Sequence, residues 1–168
     1  NLPKMKILLL KSIAMLTLCA LFVSCGNEKT EWSVLSPSEN IQFKIVMGEN
    51  NQLMYNVSIV EAGAAKPVIA NSPLGIRRSD ASFTQNLKFV SEVADVTISE
   101  SFPLPTGKRK FINSEVNELT LTFKNESNNE IQIIARVSDD GAAFRYRFPE
   151  ADTKLYAVEE ELTGFSIA

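Results

Sequence analysis

Pairs of carboxylate side chains are the residues of this chain whose spacing could support acid–base chemistry. Three groups stand close together in sequence: Glu115 with Glu118, Asp139 with Asp140, and the run Glu159-Glu160-Glu161. Two carboxyl groups held in different environments can divide the roles of general acid and general base. Each group also has a structural interpretation, as a loop entering a strand, a turn and a solvated run of charge, respectively. We favour the structural interpretation in all three cases and predict no catalytic residue in this chain.

The dipeptide Asp139-Asp140, followed by Gly141, is predicted to be a tight turn that joins two strands. Adjacent residues on a strand point to opposite faces, so two neighbouring carboxylates converge on one ion only where the backbone turns. The turn also explains the glycine, because Gly and Asp tolerate the left-handed conformations of tight hairpins. We therefore expect these three residues to be structural and assign no metal ligand here.

Aromatic and arginine side chains are the candidates for contact with a sugar. Arg145 and Arg147 flank Tyr146, in a segment where aromatic residues from Phe144 onward alternate with arginines. The alternation favours an inward Tyr146 and outward arginines on a solvated strand face. Trp32, the only tryptophan, could stack on a sugar ring, although anchoring of the first strand is the favoured interpretation. Trp32 and Arg145 are therefore possible sugar contacts.

The amino-acid composition excludes several classes of function. The chain has no histidine, which removes a Ser-His-Asp triad, a Cys-His pair and a zinc site with imidazole ligands. Its two cysteines, Cys19 and Cys25, lie near the N-terminus, so the folded part has neither a disulfide nor a thiol nucleophile. The net charge is −3, and residues 1–24 contain lysines but no acid, so the remainder is more acidic still. An acidic domain lacks the basic face that a nucleic-acid partner requires.

The first 24 residues have the features of a bacterial secretory signal. From Met5, a lysine-containing start leads into a short apolar run, and Ser24 precedes Cys25. The uninterrupted apolar stretch after Ser12 ends by Val23, which is shorter than the roughly 20 residues that span a bilayer. A transmembrane helix is therefore the less favoured alternative.

The end of this signal, Leu21-Phe22-Val23-Ser24-Cys25, resembles the lipobox of bacterial lipoproteins. Phe22 departs from the aliphatic residue usual at its position. The resemblance implies a diacylglyceryl group on Cys25, and several acyl chains hold a protein more firmly than the single chain that binds marginally. Gly26 follows the cysteine, instead of the aspartate that often retains such proteins in the inner membrane, so an outer-membrane location is expected.

Alternating apolar residues predict an all-β fold. Polar turns separate the alternating runs, which span residues 41–47, 53–59, 119–123, 131–137 and 144–148. The first two runs are predicted to form a hairpin, and residues 83–101 a further strand with a bulge near Ala94. No window shows a helical stripe of ordinary length. Many short strands separated by turns favour an antiparallel β-sandwich.

Four segments carry motifs that can be compared with known families. They are Asn71-Ser72-Pro73-Leu74-Gly75-Ile76, Phe102-Pro103 through Gly107-Lys108-Arg109-Lys110, Asn117-Glu118-Leu119, and Arg136 through Pro149. The most specific part is the run Asp139-Asp140-Gly141-Ala142-Ala143-Phe144-Arg145-Tyr146. From about Trp32 to the C-terminus, the chain resembles the N-terminal domain of glycoside hydrolase family 97, whose members are found largely in Bacteroidetes.

The resemblance implies a large β-sandwich of the galactose-mutarotase-like type, followed by a catalytic (β/α)8 barrel and a small C-terminal β domain. Members of the family cleave α-glucosides with inversion or α-galactosides with retention, with a calcium ion near the site. The catalytic carboxylates lie in the barrel. Because the sequence ends at Ala168, before a barrel, the resemblance implies a truncated super-sandwich without catalytic residues or metal ligands of its own.

The expected organisation is a signal-peptide helix at 1–24 with Met5 as the true start, a lipidated tether at 25–31 and a partial sandwich at 32–168. The expected function is that of a non-catalytic domain that packs on the barrel and shapes a cleft for an oligo- or polysaccharide. Calcium is expected only in the full-length parent enzyme. The alternative is a self-contained lipoprotein β-sandwich for carbohydrate binding or surface assembly. Either protein would be lipid-anchored in the cell envelope, at the outer membrane or in the periplasm.

Overall fold

The computed structural model describes residues 29–108 and 110–168. Within these ranges the chain forms eleven β-strands, and its helical content is a 3-10 turn at Glu49–Asn51. The strands are β1 (Glu31–Leu35), β2 (Ile41–Met47), β3 (Leu53–Glu61), β4 (Ala64–Pro73), β5 (Ile76–Arg78), β6 (Ser82–Phe83), β7 (Lys88–Pro103), β8 (Phe111–Lys124), β9 (Glu130–Ser138), β10 (Gly141–Arg147) and β11 (Val158–Glu161). The predicted signal peptide and Cys25 lie outside the described residues. Across the described ranges, no helix has the length and hydropathy needed to cross a membrane.

The strands form two four-stranded sheets and one small sheet, with antiparallel pairing throughout the described part. The first sheet has the strand order β1-β2-β3-β4, and the second sheet has the order β10-β9-β8-β7. The small sheet has the order β11-β5-β6. The first and second sheets share one hydrophobic core, which confirms the predicted antiparallel β-sandwich.

The period-two alternation of the strands places their apolar side chains in this core. Phe43 and Ile45 of β2 are buried, and so are Leu119 and Leu121 of β8. Burying each of these side chains contributes roughly 1.5–3 kcal/mol relative to leaving it exposed. The core therefore supplies the main stabilisation in a domain without disulfides.

Aromatic contacts show which strands of the two sheets lie over each other. The ring of Trp32 in β1 lies 4.9 Å from Phe89 of β7 and 5.3 Å from Phe123 of β8, measured between ring centroids. The ring of Tyr55 in β3 lies 5.0 Å from Phe144 of β10. Thus β1 lies over β8 and β9, and β2 lies over β9 and β10, while the Trp32 ring reaches Phe89 in β7 and the Tyr55 ring reaches Phe144 in β10.

The first predicted hairpin is confirmed, because β2 and β3 pair from Ile41↔Ile59 to Met47↔Leu53. The left-handed conformations in its loop belong to Asn50 and Asn51, with φ of 54° and 51°. Asparagine tolerates this region better than most residues.

The second long hairpin joins β7 to β8. Its register shifts between Val93 and Val96, which confirms the predicted bulge near Ala94. The strand begins later than predicted, at Lys88, because Ser82–Phe83 pairs separately in the small sheet. Residues 98–103 and 111–116 continue as a two-stranded ribbon beyond the region where β8 pairs with β9.

The last residues, 162–168, run antiparallel to β4 and extend the first sheet; we call them the C-terminal segment. The N–H group of Gly164 donates to the carbonyl oxygen of Pro73 at 3.0 Å, and Ile69 forms a β-bridge with Ile167. The hydroxyl group of Tyr55 donates to the carbonyl oxygen of Gly164 at 2.9 Å. The segment is therefore held by β4 and by a side chain of the core.

The predicted tether boundary at residue 31 is placed too late. Glu31 already pairs with Val46 in the first sheet, and the carbonyl oxygen of Thr30 accepts a hydrogen bond from the N–H group of Met47 at 2.8 Å. Strands β4, β5, β6 and β11 were not predicted from the sequence. Apolar alternation is weak in β4 and β11, and β5 and β6 are too short to show a period.

Candidate functional site

The β9–β10 hairpin carries the Asp-Asp-Gly sequence. Ser138 pairs with Gly141, which leaves Asp139 and Asp140 as the turn residues. The Asp139 carboxylate accepts hydrogen bonds from the hydroxyl and the backbone N–H of Ser38, at 2.7 and 2.8 Å. These bonds lower the pKa of the Asp139 carboxyl group. Asp140 instead accepts a bond from the Ser138 hydroxyl at 2.5 Å, so the two carboxylates serve different partners.

The reason predicted for glycine at position 141 is wrong. The glycines with positive φ in the described part are Gly63 and Gly107, and neither Asp139 nor Asp140 has a positive φ. The turn therefore does not belong to the class that needs left-handed residues at both central positions. A Cβ atom added to Gly141 would meet no atom within 4 Å. Neither backbone conformation nor close packing requires glycine at this position.

The residues that follow the turn alternate between the core and the outer surface. Phe144 packs against Tyr55 in the core. The hydroxyl group of Tyr146 accepts a hydrogen bond from the N–H group of Gly75 at 3.0 Å and shares another with the Thr163 hydroxyl at 2.8 Å. Burial raises the pKa of Tyr146. Tyr146 thus fixes β10 to the small sheet and to the C-terminal segment.

Arg145 lies on the outer face of the second sheet beside Arg136. The two arginines and Ile134 line a shallow depression of about 160 Å³. Nε of Arg136 donates to Glu118 at 2.7 Å, and this hydrogen bond raises the pKa of Arg136. Among the described side chains, which do not include that of Asp95, no carboxylate lies within ion-pair distance of Arg145. Its guanidinium group can donate hydrogen bonds to a sugar, so Arg145 stays a candidate contact.

The possible sugar contact at Trp32 is wrong. Its side chain is only 2% exposed and lies between Phe89 and Phe123. Its indole N–H group has no hydrogen-bond partner among the described residues. A buried indole cannot stack on an external sugar ring, so Trp32 anchors β1 to the core.

The other carboxylate groups do not form an acid–base pair. Glu115 and Glu118 lie three positions apart on β8, so their side chains point to opposite faces. Glu159 and Glu160 flank Arg77 at 3.7 and 2.5 Å as surface ion pairs. In the described ranges, no group of three or more His, Cys, Asp or Glu side chains could hold a metal ion.

A buried charged cluster that was not predicted from the sequence surrounds Arg78, whose side chain is 4% exposed. Its guanidinium group donates two hydrogen bonds to Asp80, at 2.9 and 2.8 Å, and two to Glu150, at 2.8 and 3.3 Å. It also lies 4.3 and 4.4 Å from the ring centroids of Phe148 and Tyr156. We call these five residues the Arg78 cluster.

The pKa values of Arg78 and Tyr156 are both raised in the folded protein. Burial lowers the pKa of Arg78, but its hydrogen bonds to Glu150 and Asp80 outweigh this effect and raise it. Tyr156 donates to Asp152 at 2.6 Å, which raises the pKa of Tyr156 to about 12 and lowers that of Asp152. The Arg78 cluster therefore fastens the segment after β10 to the small sheet. The spacing of Arg78 and Asp80 could have suggested one ion pair, but Glu150 is 72 residues away in sequence.

Comparison with known proteins identifies the family. The family described as Glycosyl-hydrolase 97 N-terminal matches residues 34–168. The chain belongs to this family. The match begins within β1 and includes every later strand, so the sandwich described above is a glycoside hydrolase family 97 N-terminal fold. This confirms the resemblance drawn from the four sequence segments.

Two curated relatives of this family 97 chain are much longer proteins. It is 25% identical over 145 residues to a probable retaining alpha-galactosidase of Streptomyces bingchenggensis, covering 85% of this chain and 22% of the relative. It is 23% identical over 156 residues to a retaining alpha-galactosidase of Bacteroides thetaiotaomicron, covering 93% of this chain and 22% of the relative.

Similar solved structures are also much longer than this chain. A beta-arabinopyranosidase superposes with a TM-score of 0.72 at 32% identity, covering 82% of this chain and 21% of that protein. A family 97 enzyme from Pseudoalteromonas sp. strain K8 in complex with acarbose has a TM-score of 0.69 at 26% identity, covering 81% and 20%. The chain thus spans about a fifth of the length of these relatives.

Proposed function

We propose that this chain is the N-terminal β-sandwich of a family 97 enzyme that acts on α-glucosides or α-galactosides. The domain packs on the catalytic barrel of its parent polypeptide and shapes the substrate cleft, without catalysis of its own. The observation that carries the proposal is the extent of the match. The family's N-terminal domain accounts for residues 34–168, whereas the relatives are about five times as long as the matched region.

The chemistry of the described carboxylates supports a non-catalytic role. Glycoside hydrolysis needs two carboxyl groups across the scissile bond, roughly 5 Å apart for retention and roughly 6.5–9.5 Å apart for inversion. Asp139 and Asp140 are turn residues with separate serine partners, and Glu118 is paired with Arg136. None of these carboxylates faces another across an open cleft.

The substrate and the cofactor belong to the whole enzyme. Both curated relatives are named as retaining alpha-galactosidases, which makes an α-galactoside the first substrate to test. Calcium is proposed for the parent enzyme only. In the part of the chain that the structure describes, no group of three or more His, Cys, Asp or Glu side chains could hold a metal ion by itself.

A lipid anchor at Cys25 would place the enzyme in the cell envelope, at the outer membrane or in the periplasm. The support for this part is the sequence alone: the lysine-containing start, the short apolar run and Ser24 before the cysteine. The anchor would hold the sandwich close to the membrane through a short polar tether.

Turnover by the whole polypeptide and by residues 26–168 tests the proposal. With calcium present, the whole polypeptide should hydrolyse an aryl α-galactoside or α-glucoside, and residues 26–168 should leave both intact. Turnover by residues 26–168 that a single carboxylate substitution abolishes would contradict it. If residues 26–168 alone bound an oligosaccharide, and Arg145→Ala but not Arg77→Ala removed that binding, the carbohydrate-binding alternative would be favoured instead.

A further inference from the structure

A cavity of about 530 Å³ opens between the two large sheets, beside the first described residues of the chain. Lys29, which precedes β1, lines this cavity and forms an ion pair with Glu92 at 2.5 Å. We call it the tether-end cavity, because the predicted tether joins the fold there. It combines an apolar wall with a rim of lysines: Met47, Leu87, Phe89, Lys29, Lys88 and Lys124.

Two of these lysines place like charges side by side. Lys88 and Lys124 are direct partners in the register of β7 and β8, and like charges in such positions destabilise an antiparallel pair. Among the described side chains, which do not include those of Glu28 and Asp95, no carboxylate lies within ion-pair distance of either lysine. Glu130, opposite Lys124 on β9, also lies beyond that distance. An anion that reaches both ammonium groups would relieve the repulsion.

The wall beside these lysines is apolar and partly open to solvent. The Phe89 side chain is 37% exposed, and its ring lies against that of Trp32 with 4.9 Å between the centroids. Val90, the next residue, is 42% exposed. Ammonium groups beside an apolar wall match a phospholipid, because its phosphate accepts hydrogen bonds from lysine and its first methylene groups pack on apolar side chains.

Chain geometry keeps the tether-end cavity near a membrane when Cys25 carries lipid. Cys25 lies four residues before Lys29, and an extended chain of that length spans at most about 14 Å. A lipid surface is then always within reach of the cavity. In this respect the inference rests on the proposed lipid anchor.

The opposite end of the sandwich exposes carboxylates. β1 leads from the tether-end cavity to the loop that contains Ser38 and Glu39, and Ser38 donates to Asp139 in the β9–β10 turn. Glu39, Asp139 and Asp140 are all exposed at this end. An anionic membrane repels these carboxylates and attracts the lysines of the tether-end cavity. The charge distribution therefore favours one orientation, with the tether-end cavity facing the lipid.

We propose that the tether-end cavity binds the head group of an anionic phospholipid and so fixes the orientation of the sandwich on the membrane. Lys88 and Lys124 donate hydrogen bonds to the phosphate group, and Phe89 contacts the glycerol and the first methylene groups. The acyl chains on Cys25 hold the protein at the membrane, whereas the cavity determines which end of the sandwich faces it.

Fluorescence of Trp32 tests the docking. Trp32 is the only tryptophan of the 168-residue chain and contacts Phe89 of the cavity wall. The lipidated chain is placed in vesicles that contain a lipid with a nitroxide on its head group, which quenches nearby fluorophores. Quenching should be strong in vesicles of phosphatidylglycerol with phosphatidylcholine and weak in phosphatidylcholine alone, and high salt should reduce it. Equal quenching in the two kinds of vesicle would overturn the proposal.

Substitution of the two lysines provides a second test. The attraction of one lysine to an anionic membrane corresponds to about fivefold in affinity, so Lys88→Gln combined with Lys124→Gln should lower the ratio of docked to undocked protein about 25-fold. Lys66→Gln combined with Lys108→Gln is the matched control, because it removes the same charge from two exposed lysines outside the cavity. An equal loss of quenching in the two double variants would show attraction by net charge alone and would overturn the proposal.

Chemical acylation of lysine amines identifies the source of the anion. On vesicles with phosphatidylglycerol, Lys88 and Lys124 should react more slowly than on phosphatidylcholine alone, with Lys66 and Lys108 as the reference in mass spectrometry. The same protection by inorganic phosphate in detergent, without vesicles, would assign the cavity to a small anion and overturn the lipid. Palmitate labelling of the same samples separates the two proposals: a labelled chain that does not dock refutes the docking alone, whereas an unlabelled chain refutes the anchor and this inference with it.

Discussion

The Asp139 carboxylate accepts hydrogen bonds from both the N–H and the hydroxyl group of Ser38, although 101 residues separate the two in sequence. Ser38 lies in the loop after β1, and Asp139 is in the turn between β9 and β10. This contact joins the two sheets at one end of the sandwich. It gives the most family-specific motif of the chain a structural role.

Replacing Asp139 should therefore destabilise the domain more than replacing its neighbour. Asp139→Ala removes a link between the sheets, whereas Asp140→Ala removes only a bond to Ser138 within the same hairpin. We expect a larger fall in Tm for Asp139→Ala at pH 7, measured by thermal unfolding. Equal falls for the two variants would show that the Ser38 contact contributes nothing specific.

The Asp139 contact should also depend on pH. The pKa of this carboxyl group is lowered in the folded state. Its stabilisation is therefore complete above the unfolded pKa of about 3.9 and is lost as the pH falls through the lower folded pKa. The Tm difference between wild type and Asp139→Ala should be constant from pH 7 to 5 and shrink below pH 4. A difference that grows on acidification would contradict this sign.

Arg78 should be the most sensitive arginine of the domain. Removing one partner of a buried ion pair typically costs about 3–5 kcal/mol. Because the carboxylates of Asp80 and Glu150 are partly exposed, we expect Arg78→Ala to cost about 3 kcal/mol, at the lower end of this range. Arg78→Lys keeps the charge but loses the planar fork and the ring contacts, so its cost should be intermediate. Arg77→Ala, at a surface ion pair next in sequence, should cost about 0–1 kcal/mol. Urea unfolding of the three variants provides the measurement, and equal losses at positions 77 and 78 would refute the ranking.

Two glycines should differ sharply in their tolerance of alanine. A Cβ atom on Gly164 would lie 2.8 Å from Cδ of Pro73, so Gly164→Ala should cost about 1–3 kcal/mol through overpacking. Gly141 has open space and no left-handed backbone, so Gly141→Ala should stay within about 0.5 kcal/mol of wild type. Equilibrium unfolding measures the loss of stability in both variants. A larger loss for Gly141→Ala than for Gly164→Ala would support a left-handed conformation at Gly141.

Lipidation at Cys25 is expected in a Gram-negative host. Wild type should incorporate labelled palmitate, and Cys25→Ala should not. Cys19→Ala is the matched control, because it changes the other cysteine of the same region and should leave labelling intact. Equal labelling of wild type and Cys25→Ala would contradict the anchor.

The sequence predicted the strands whose burial alternates cleanly. The runs beginning at Ile41 and Leu53 became β2 and β3, and the bulge near Ala94 was found because acidic residues interrupt the apolar pattern there. By contrast, β4 contains Ala64-Ala65-Lys66-Pro67 and has two register shifts against β3. Its strand identity comes from pairing with distant residues, which a local pattern does not encode.

The candidate site residues also differ in whether local sequence or distant contacts determine their positions. The inward Tyr146 and outward Arg145 follow from alternation. The burial of Trp32 depends on Phe89 and Phe123, and the Arg78 cluster depends on Glu150; these partners are distant in sequence. At Gly141 the local sequence predicted the wrong backbone conformation, because an Asp-Asp-Gly sequence is compatible with more than one type of turn. The observed turn is the one in which Asp139 contacts Ser38.

Sequencing the gene beyond the codon for Ala168 tests the central claim most directly, because the claim is that this sandwich serves a catalytic domain of the same polypeptide. We predict an open reading frame that continues beyond Ala168 and encodes a (β/α)8 barrel with paired carboxylates. A stop codon directly after Ala168, with no barrel encoded in frame, would contradict it.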